Sequence, residues 1–156
     1  MADRIMVDTN ILLYAYDRGE PAKQPQALAL LNRLVVQNLG VLTSQVLAEF
    51  FVNATKKLRP PLTNEEAYKR IQNYLLSWEI LDITGSVVLE AVRGVRTYQM
   101  SYWDAQIWAS ARMNQVPVVL SEDFGERTTI EGIHFVNPFG SDFNIDAWLP
   151  LSRSTY

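Results

Sequence analysis

Two rhythms of apolar residues alternate along this chain. Ile5-Met6-Val7 and Val118-Val119-Leu120 are continuously apolar, as in short strands covered on both faces. Between such runs the apolar spacing lengthens to three and four, the helical period. Residues 4 to 7 predict a first strand, and residues 9 to 17 a helix wrapped by Ile11, Leu12, Tyr14, Ala15 and Tyr16. Pro21 and Pro25 interrupt the chain before a helix over 26–37, in which Leu28, Leu31, Leu34 and Val35 recur. Gly40 is placed to end that helix, and 41–43 form a second strand. Ser44 then caps a helix to about Lys57, with Val46, Leu47, Phe50, Phe51 and Ala54 on its apolar face. After Pro60-Pro61, Thr63 and Glu66 make a capping box for a helix to about Ser77. A strand over 78–83 follows. A helix over 86–98 directs Val88, Ala91, Val92 and Val95 inward, and Ser101 opens another to about Gln115. Strands over 117–120 and 132–136 complete the pattern.

Strands alternating with helices predict an α/β fold whose sheet is mostly parallel. At 156 residues the chain suits one domain with a substantial core. Its tail from Phe139 carries Phe143, Ile145, Trp148 and Leu149, expected to pack on the domain or on a second subunit. No apolar run approaches the ~20 residues that span a bilayer, and no secretory apolar region follows Met-Ala-Asp-Arg. The absence of cysteine excludes disulfides and thiolate metal sites. Together these favour a cytoplasmic protein. A net charge of -3 argues against broad neutralisation of phosphates, so any nucleic-acid contact must be local or metal-mediated.

Four carboxylates stand next to apolar elements: Asp8, Glu49, Asp104 and Asp123. Each has an ordinary explanation. Asp8 follows a strand and suits a helix N-cap. Glu49 lies mid-helix and can reach solvent from the helix edge. Asp104 follows Ser101 at capping-box spacing, though its large apolar neighbours predict partial burial. Asp123, like Glu122 beside it, fits a turn. The functional alternative is that the strands deliver all four to one rim of the sheet, where α/β folds bind ligands. Four carboxylates meeting there would repel unless a cation lay between them.

Other polar groups carry less. The single histidine, His134, lies in a predicted strand and reads as structural. Lys56, Lys57 and Arg59 form the clearest basic cluster, and pairing with a helix C-terminus accounts for them. Tyr102 and Trp103 flank Asp104 and could stack unpaired bases, but Trp103 and Trp108 read foremost as core. A phosphate-accepting Asp8, as in haloacid-dehalogenase-like phosphatases, would need a second aspartate two positions on, where this chain has Asn10.

The stretches Val7-Asp8-Thr9-Asn10-Ile11-Leu12, Ser44-Gln45-Val46-Leu47-Ala48-Glu49-Phe50, Tyr102-Trp103-Asp104-Ala105-Gln106-Ile107 and Leu120-Ser121-Glu122-Asp123 together resemble the PIN-domain nucleases, and among them the VapC-type toxins of prokaryotic toxin–antitoxin pairs. The resemblance covers roughly residues 4 to 137. It implies a single PIN-like domain over 1–156, with a central mostly parallel sheet flanked by helices and 139–156 as an apolar tail. It implies that Asp8, Glu49, Asp104 and Asp123 are catalytic, metal-binding carboxylates supported by Thr9, Asn10, Ser121 and Glu122, with Glu122 able to share or replace the role of Asp123. It further implies Mg²⁺ or Mn²⁺, cleavage of RNA phosphodiesters, a homodimer and a cognate antitoxin. The alternative function is a non-catalytic domain that binds RNA or protein.

Overall fold

Strand β1 (Ile5–Val7) lies inside a six-stranded sheet in the computed structural model, which describes residues 4–124 and 127–148. All three of its side chains are fully buried, which is why the run contains no polar residue. On one side β1 pairs in parallel with β2 (Gly40–Thr43), and β2 with β3 (Glu79–Leu81). On the other side it pairs in parallel with β4 (Val118–Leu120), and β4 with β6 (Ile133–Val136). The edge strand β5 (Arg127–Ile130) is antiparallel to β6, giving the order β3-β2-β1-β4-β6-β5. The direction of strand addition reverses at β1 and β4, so the crevice outside their carboxyl ends is where such a sheet places a ligand.

The helices are α1 (Thr9–Tyr14), α2 (Lys23–Val36), α3 (Ser44–Ala54), α4 (Asn64–Ser77), α5 (Gly85–Tyr98) and α6 (Tyr102–Met113), with a short 3-10 turn at Ile145–Ala147. The chain is thus an α/β domain, a mostly parallel sheet flanked by helices. Helix α1 packs on both α2 and α3, and α3 on α4, whereas α5 packs on α6, and α6 on β4 and β6. Helices α1 and α3 start where β1 and β2 end. Each therefore presents its first turns at the carboxyl rim of the sheet.

Several local expectations change for physical reasons. Pro25 does not interrupt the chain but sits in the first turn of α2, where a missing N–H goes unused. Helix α2 ends on Asn38, whose φ is 55°, with Leu39 N–H donating to the Leu34 carbonyl and Asn38 N–H to that of Val35. Gly40 instead begins β2, where a Cβ would stand 2.3 Å from the Trp78 ring. Thr43 rather than Ser44 caps α3, its Oγ1 accepting from Val46 N–H; the Ser44 hydroxyl accepts from Ile83 N–H. The Thr63–Glu66 capping box forms.

Helix α5 turns Val87, Ala91 and Gly94 inward, while Val88 and Val92 are exposed. Small residues there let α5 lie close against α6. Strand β5 has no counterpart in the hydrophobic pattern. It joins β6 through Glu131 and Gly132, both at positive φ, as a two-residue hairpin requires. Phe139, Phe143, Ile145 and Trp148 pack on the domain's own core; Leu149 lies outside the described residues.

Candidate active site

The carboxyl ends of β1 and β4 are tied together. Asp8 N–H donates to the Leu120 carbonyl at 2.9 Å, and Ser121 Oγ donates to Asp8 Oδ2 at 2.7 Å. Asp8 caps α1, with Oδ1 accepting from Thr9 N–H at 2.7 Å. The cap role and the place at the rim therefore belong to the same residue. Asp123 follows one turn past β4, its N–H donating to Ser121 Oγ at 3.2 Å. Glu49 reaches the rim from the second turn of α3, where Thr9 Oγ1 donates to its Oε2 at 2.7 Å and Gln45 Nε2 to its Oε1 at 2.8 Å. Asp104 lies in the first turn of α6, half-buried, with its N–H donating to the hydroxyl of the capping Ser101 at 3.3 Å.

The electrostatics follow from this convergence. Asp8 is buried, and its carboxyl is pushed up to about 6, first by loss of hydration. The bonds from Ser121 and Thr9 oppose the rise, while the charges of Asp123 and Glu49 add to it. Asp123 is also raised, by partial burial and then by Asp104, Glu122 and Glu49. The Asn10 amide opposes that rise from nearby, yet completes no hydrogen bond of good geometry: both its polar atoms are buried and unpartnered. Among the described residues, none of the four carboxylates has a basic partner. Glu122 is turned away, accepting from Tyr14 OH at 2.9 Å and pairing with Lys23 at 3.0 Å. Asp123 is thus the member of that pair which faces the cluster.

A family model for the PIN domain matches residues 5–125. The chain belongs to the PIN domain family. Solved structures with this fold include a toxin–antitoxin complex from Klebsiella pneumoniae, 20% identical, with TM-score 0.63, covering 86% of this chain and 98% of that one. Mycobacterium tuberculosis VapC20, a sarcin-ricin loop cleaving toxin, is 18% identical with TM-score 0.61, covering 78% and 91%. DNA-bound VapBC from Salmonella typhimurium is 18% identical with TM-score 0.59, covering 85% and 96%. No curated protein sequence matches significantly.

This PIN domain suits a hard divalent cation by its donor chemistry. Among the described residues the rim presents oxygen and amide groups, its four carboxylates have no basic partner, and the Asn10 amide is unpaired. Among the described residues no three acidic or imidazole side chains close around one point. Mg²⁺ does not need a closed cage, since it keeps several of its waters.

Further residues of the PIN domain rim escape a reading of sequence alone. Gln45 and Gln106 are buried beside Glu49, although glutamine on a helix usually means solvent. Trp108 is fully buried as expected, but Trp103 is 60% exposed. It lines a groove of about 550 Å³ with Glu49, Gln45, Val52, Ile83 and Gln106. The reason is α6 itself, which spends its core-facing side on Ala105, Trp108 and Ala109. His134 is structural, its Nδ1 2.9 Å from Thr129 Oγ1. Lys56, Lys57 and Arg59 lie exposed beyond the end of α3, roughly 16 Å from the rim by helical rise.

Proposed function

We propose that this chain is a metal-dependent endoribonuclease hydrolysing RNA phosphodiester bonds, and the toxin of a toxin–antitoxin pair. One observation carries the reading: at the switch point of the sheet the charges of Glu49 and Asp123 raise the Asp8 carboxyl, those of Asp104 and Glu49 raise Asp123, and among the described residues no basic side chain pairs with any of the four. In this reading the four carboxylates hold Mg²⁺ or Mn²⁺. The bound ion would supply an activated water and neutralise charge on the phosphodiester. The chain's own groups set the stage for it. Ser121 and Thr9 N–H orient Asp8, Thr9 Oγ1 and Gln45 orient Glu49, and the buried Asn10 amide stands beside Asp123. Glu122, held by Lys23 and Tyr14, supports the turn that presents Asp123.

RNA as substrate is supported by the exposed Trp103 ring, next to Asp104 in the groove shared with Glu49, where an unpaired base can stack. An antitoxin partner is supported by the solved complexes of the same fold from Klebsiella and Salmonella. Val88, Leu89 and Val92, exposed on α5, offer apolar surface that a homodimer would cover. A cytoplasmic location follows from the proposed RNA substrate. Among the described residues no helix is long and apolar enough to cross a membrane.

The test is cleavage of a structured RNA pool by purified protein, with Mg²⁺ or Mn²⁺ against EDTA, beside Asp8→Asn and Asp104→Asn. Metal-dependent products, lost in both folded variants, are expected. Metal-dependent RNA retention without products would instead select the non-catalytic binding reading.

A further inference from the structure

We propose that Gln45, Gln106 and Tyr102 form a polarised relay of positioning residues that fixes Glu49 for metal binding; the proposal rests on the nuclease reading above. Tyr102 OH donates to Gln106 Oε1 at 2.6 Å, Gln106 Nε2 to Gln45 Oε1 at 2.7 Å, and Gln45 Nε2 to Glu49 Oε1 at 2.8 Å. The outer two links run from i+4 neighbours within α6 and within α3. The middle link joins the two helices, and so joins the helix carrying Asp104 to the helix carrying Glu49.

The direction of the relay is set by its inner end. A carboxylate oxygen only accepts, so Gln45 must present its amide nitrogen to Glu49. Its oxygen then faces Gln106, which must likewise present nitrogen, and whose oxygen must take the tyrosine proton. A flip of either amide sets oxygen against oxygen or N–H against N–H. Both glutamines are buried, so water cannot repair the mismatch. Each amide therefore has one orientation that pairs both its atoms.

Thr9 Oγ1 holds the other Glu49 oxygen. With a donor on each oxygen the carboxylate cannot swing out along the helix edge, and each oxygen keeps a lone pair for a ligand. Loss of such outer partners of a metal ligand typically weakens metal binding about 10–100-fold. Tyr102 and Trp103 share the first turn of α6 with Asp104, so the relay also keeps α6 from shifting relative to α3.

Calorimetric titration of the full chain with Mn²⁺ tests this. The informative variant is the double change Gln45→Met and Gln106→Met, because removing both partners of the buried bond leaves no orphaned donor between them. We expect it to melt close to wild type, to bind Mn²⁺ about 10–100-fold more weakly, and to regain RNA cleavage as Mn²⁺ is raised to saturation. Tyr102→Phe removes one hydroxyl at the half-buried outer end; it is expected to fold normally and to weaken Mn²⁺ binding severalfold. A folded double variant with wild-type Mn²⁺ affinity would overturn the relay. Should the double variant fail to fold, unchanged affinity in Tyr102→Phe overturns it equally. Wild-type protein that binds no Mn²⁺ and cuts no RNA would overturn the nuclease reading together with the relay; wild type that does both while the variants match it removes the relay alone.

Discussion

Ser121 Oγ sits between two carboxylate-bearing segments, donating to Asp8 Oδ2 at 2.7 Å and accepting from Asp123 N–H at 3.2 Å. One fully buried hydroxyl thus ties the end of β4 to the end of β1 and shapes the turn that carries Asp123. Because its bond lowers the Asp8 carboxyl, Ser121→Ala should raise that carboxyl further above about 6. Loss of a buried partner should also cost about 1–3 kcal/mol of stability. Carboxyl NMR titration of Asp8 and urea unfolding check both; an unmoved Asp8 would disconnect the hydroxyl from the site.

The raised Asp8 carboxyl makes the metal-free fold pH-dependent with a definite sign. The folded chain holds this proton up to about 6, whereas an unfolded aspartate releases it near 3.8. Folded protein therefore binds more protons across that window, and the contribution of Asp8 to stability falls as pH rises from about 4 to about 6, then levels. The change amounts to about 3 kcal/mol. Asp8→Asn carries no such proton, so the variant should gain on metal-free wild type through that window and remain ahead at pH 7.5. Paired denaturation curves from pH 4 to 8 measure the gap; a gap independent of pH would show that Asp8 is not strained by ionisation.

Metal should reverse that penalty. At pH 7.5, Mn²⁺ or Mg²⁺ at 100 times its Kd should stabilise the folded chain by about 2.7 kcal/mol, and EDTA should remove the gain. Protons compete for Asp8, so affinity should decline as pH drops through about 6. Thermal shifts with and without EDTA at pH 5.5 and 7.5 decide it. Equal shifts at both values, or a full shift in Asp8→Asn, would place the ion elsewhere.

Gly40 and Trp78 predict a purely structural effect. A Cβ on Gly40 would lie 2.3 Å from the indole ring, which caps the start of β2 from the end of α4. Gly40→Ala should destabilise the fold by about 1–3 kcal/mol through overpacking, with a shift in indole emission and no change in Mn²⁺ affinity per folded molecule.

What the sequence discloses about this site depends on how each residue is addressed. Asp8 and Ser121 are legible because each ends a continuously apolar strand, so the sheet itself states where they go. Asp104 is legible through Ser101 and the helix it caps. Asp123 and Glu122 are adjacent and chemically alike, and only the pull of Lys23 and Tyr14 on Glu122 separates them. Gln45 and Gln106 pair across helices 61 positions apart, and no local pattern distinguishes them from surface glutamine. Trp103 misleads because hydrophobicity predicts burial while helix phase decides it. Val88 and Val92 mislead for the same reason, since close packing of α5 on α6 selects small residues rather than the most apolar ones. Strand β5 pairs through one edge only, and its Thr128 and Thr129 give it no apolar rhythm.

Trp103 supplies the sharpest test of the proposed RNA contact. Its ring is 60% exposed and edge-on to Tyr102, with centroids 5.2 Å apart, so it is braced without being buried. Removing it should leave stability nearly unchanged, since little apolar area is lost from the core. Stacking on an aromatic side chain contributes about 1–3 kcal/mol per base. Trp103→Ala should therefore raise KM for a single-stranded target roughly 5- to 150-fold, with kcat little altered because Asp104 keeps its cap and its place. Trp103→Phe should retain most of the affinity, and an abasic nucleotide at the stacked position should erase the difference between wild type and Trp103→Ala. Steady-state cleavage with the three proteins and two substrates measures this. Equal KM values would remove Trp103 from the RNA path, and a changed sedimentation coefficient in Trp103→Ala would assign its exposed ring to a protein interface instead.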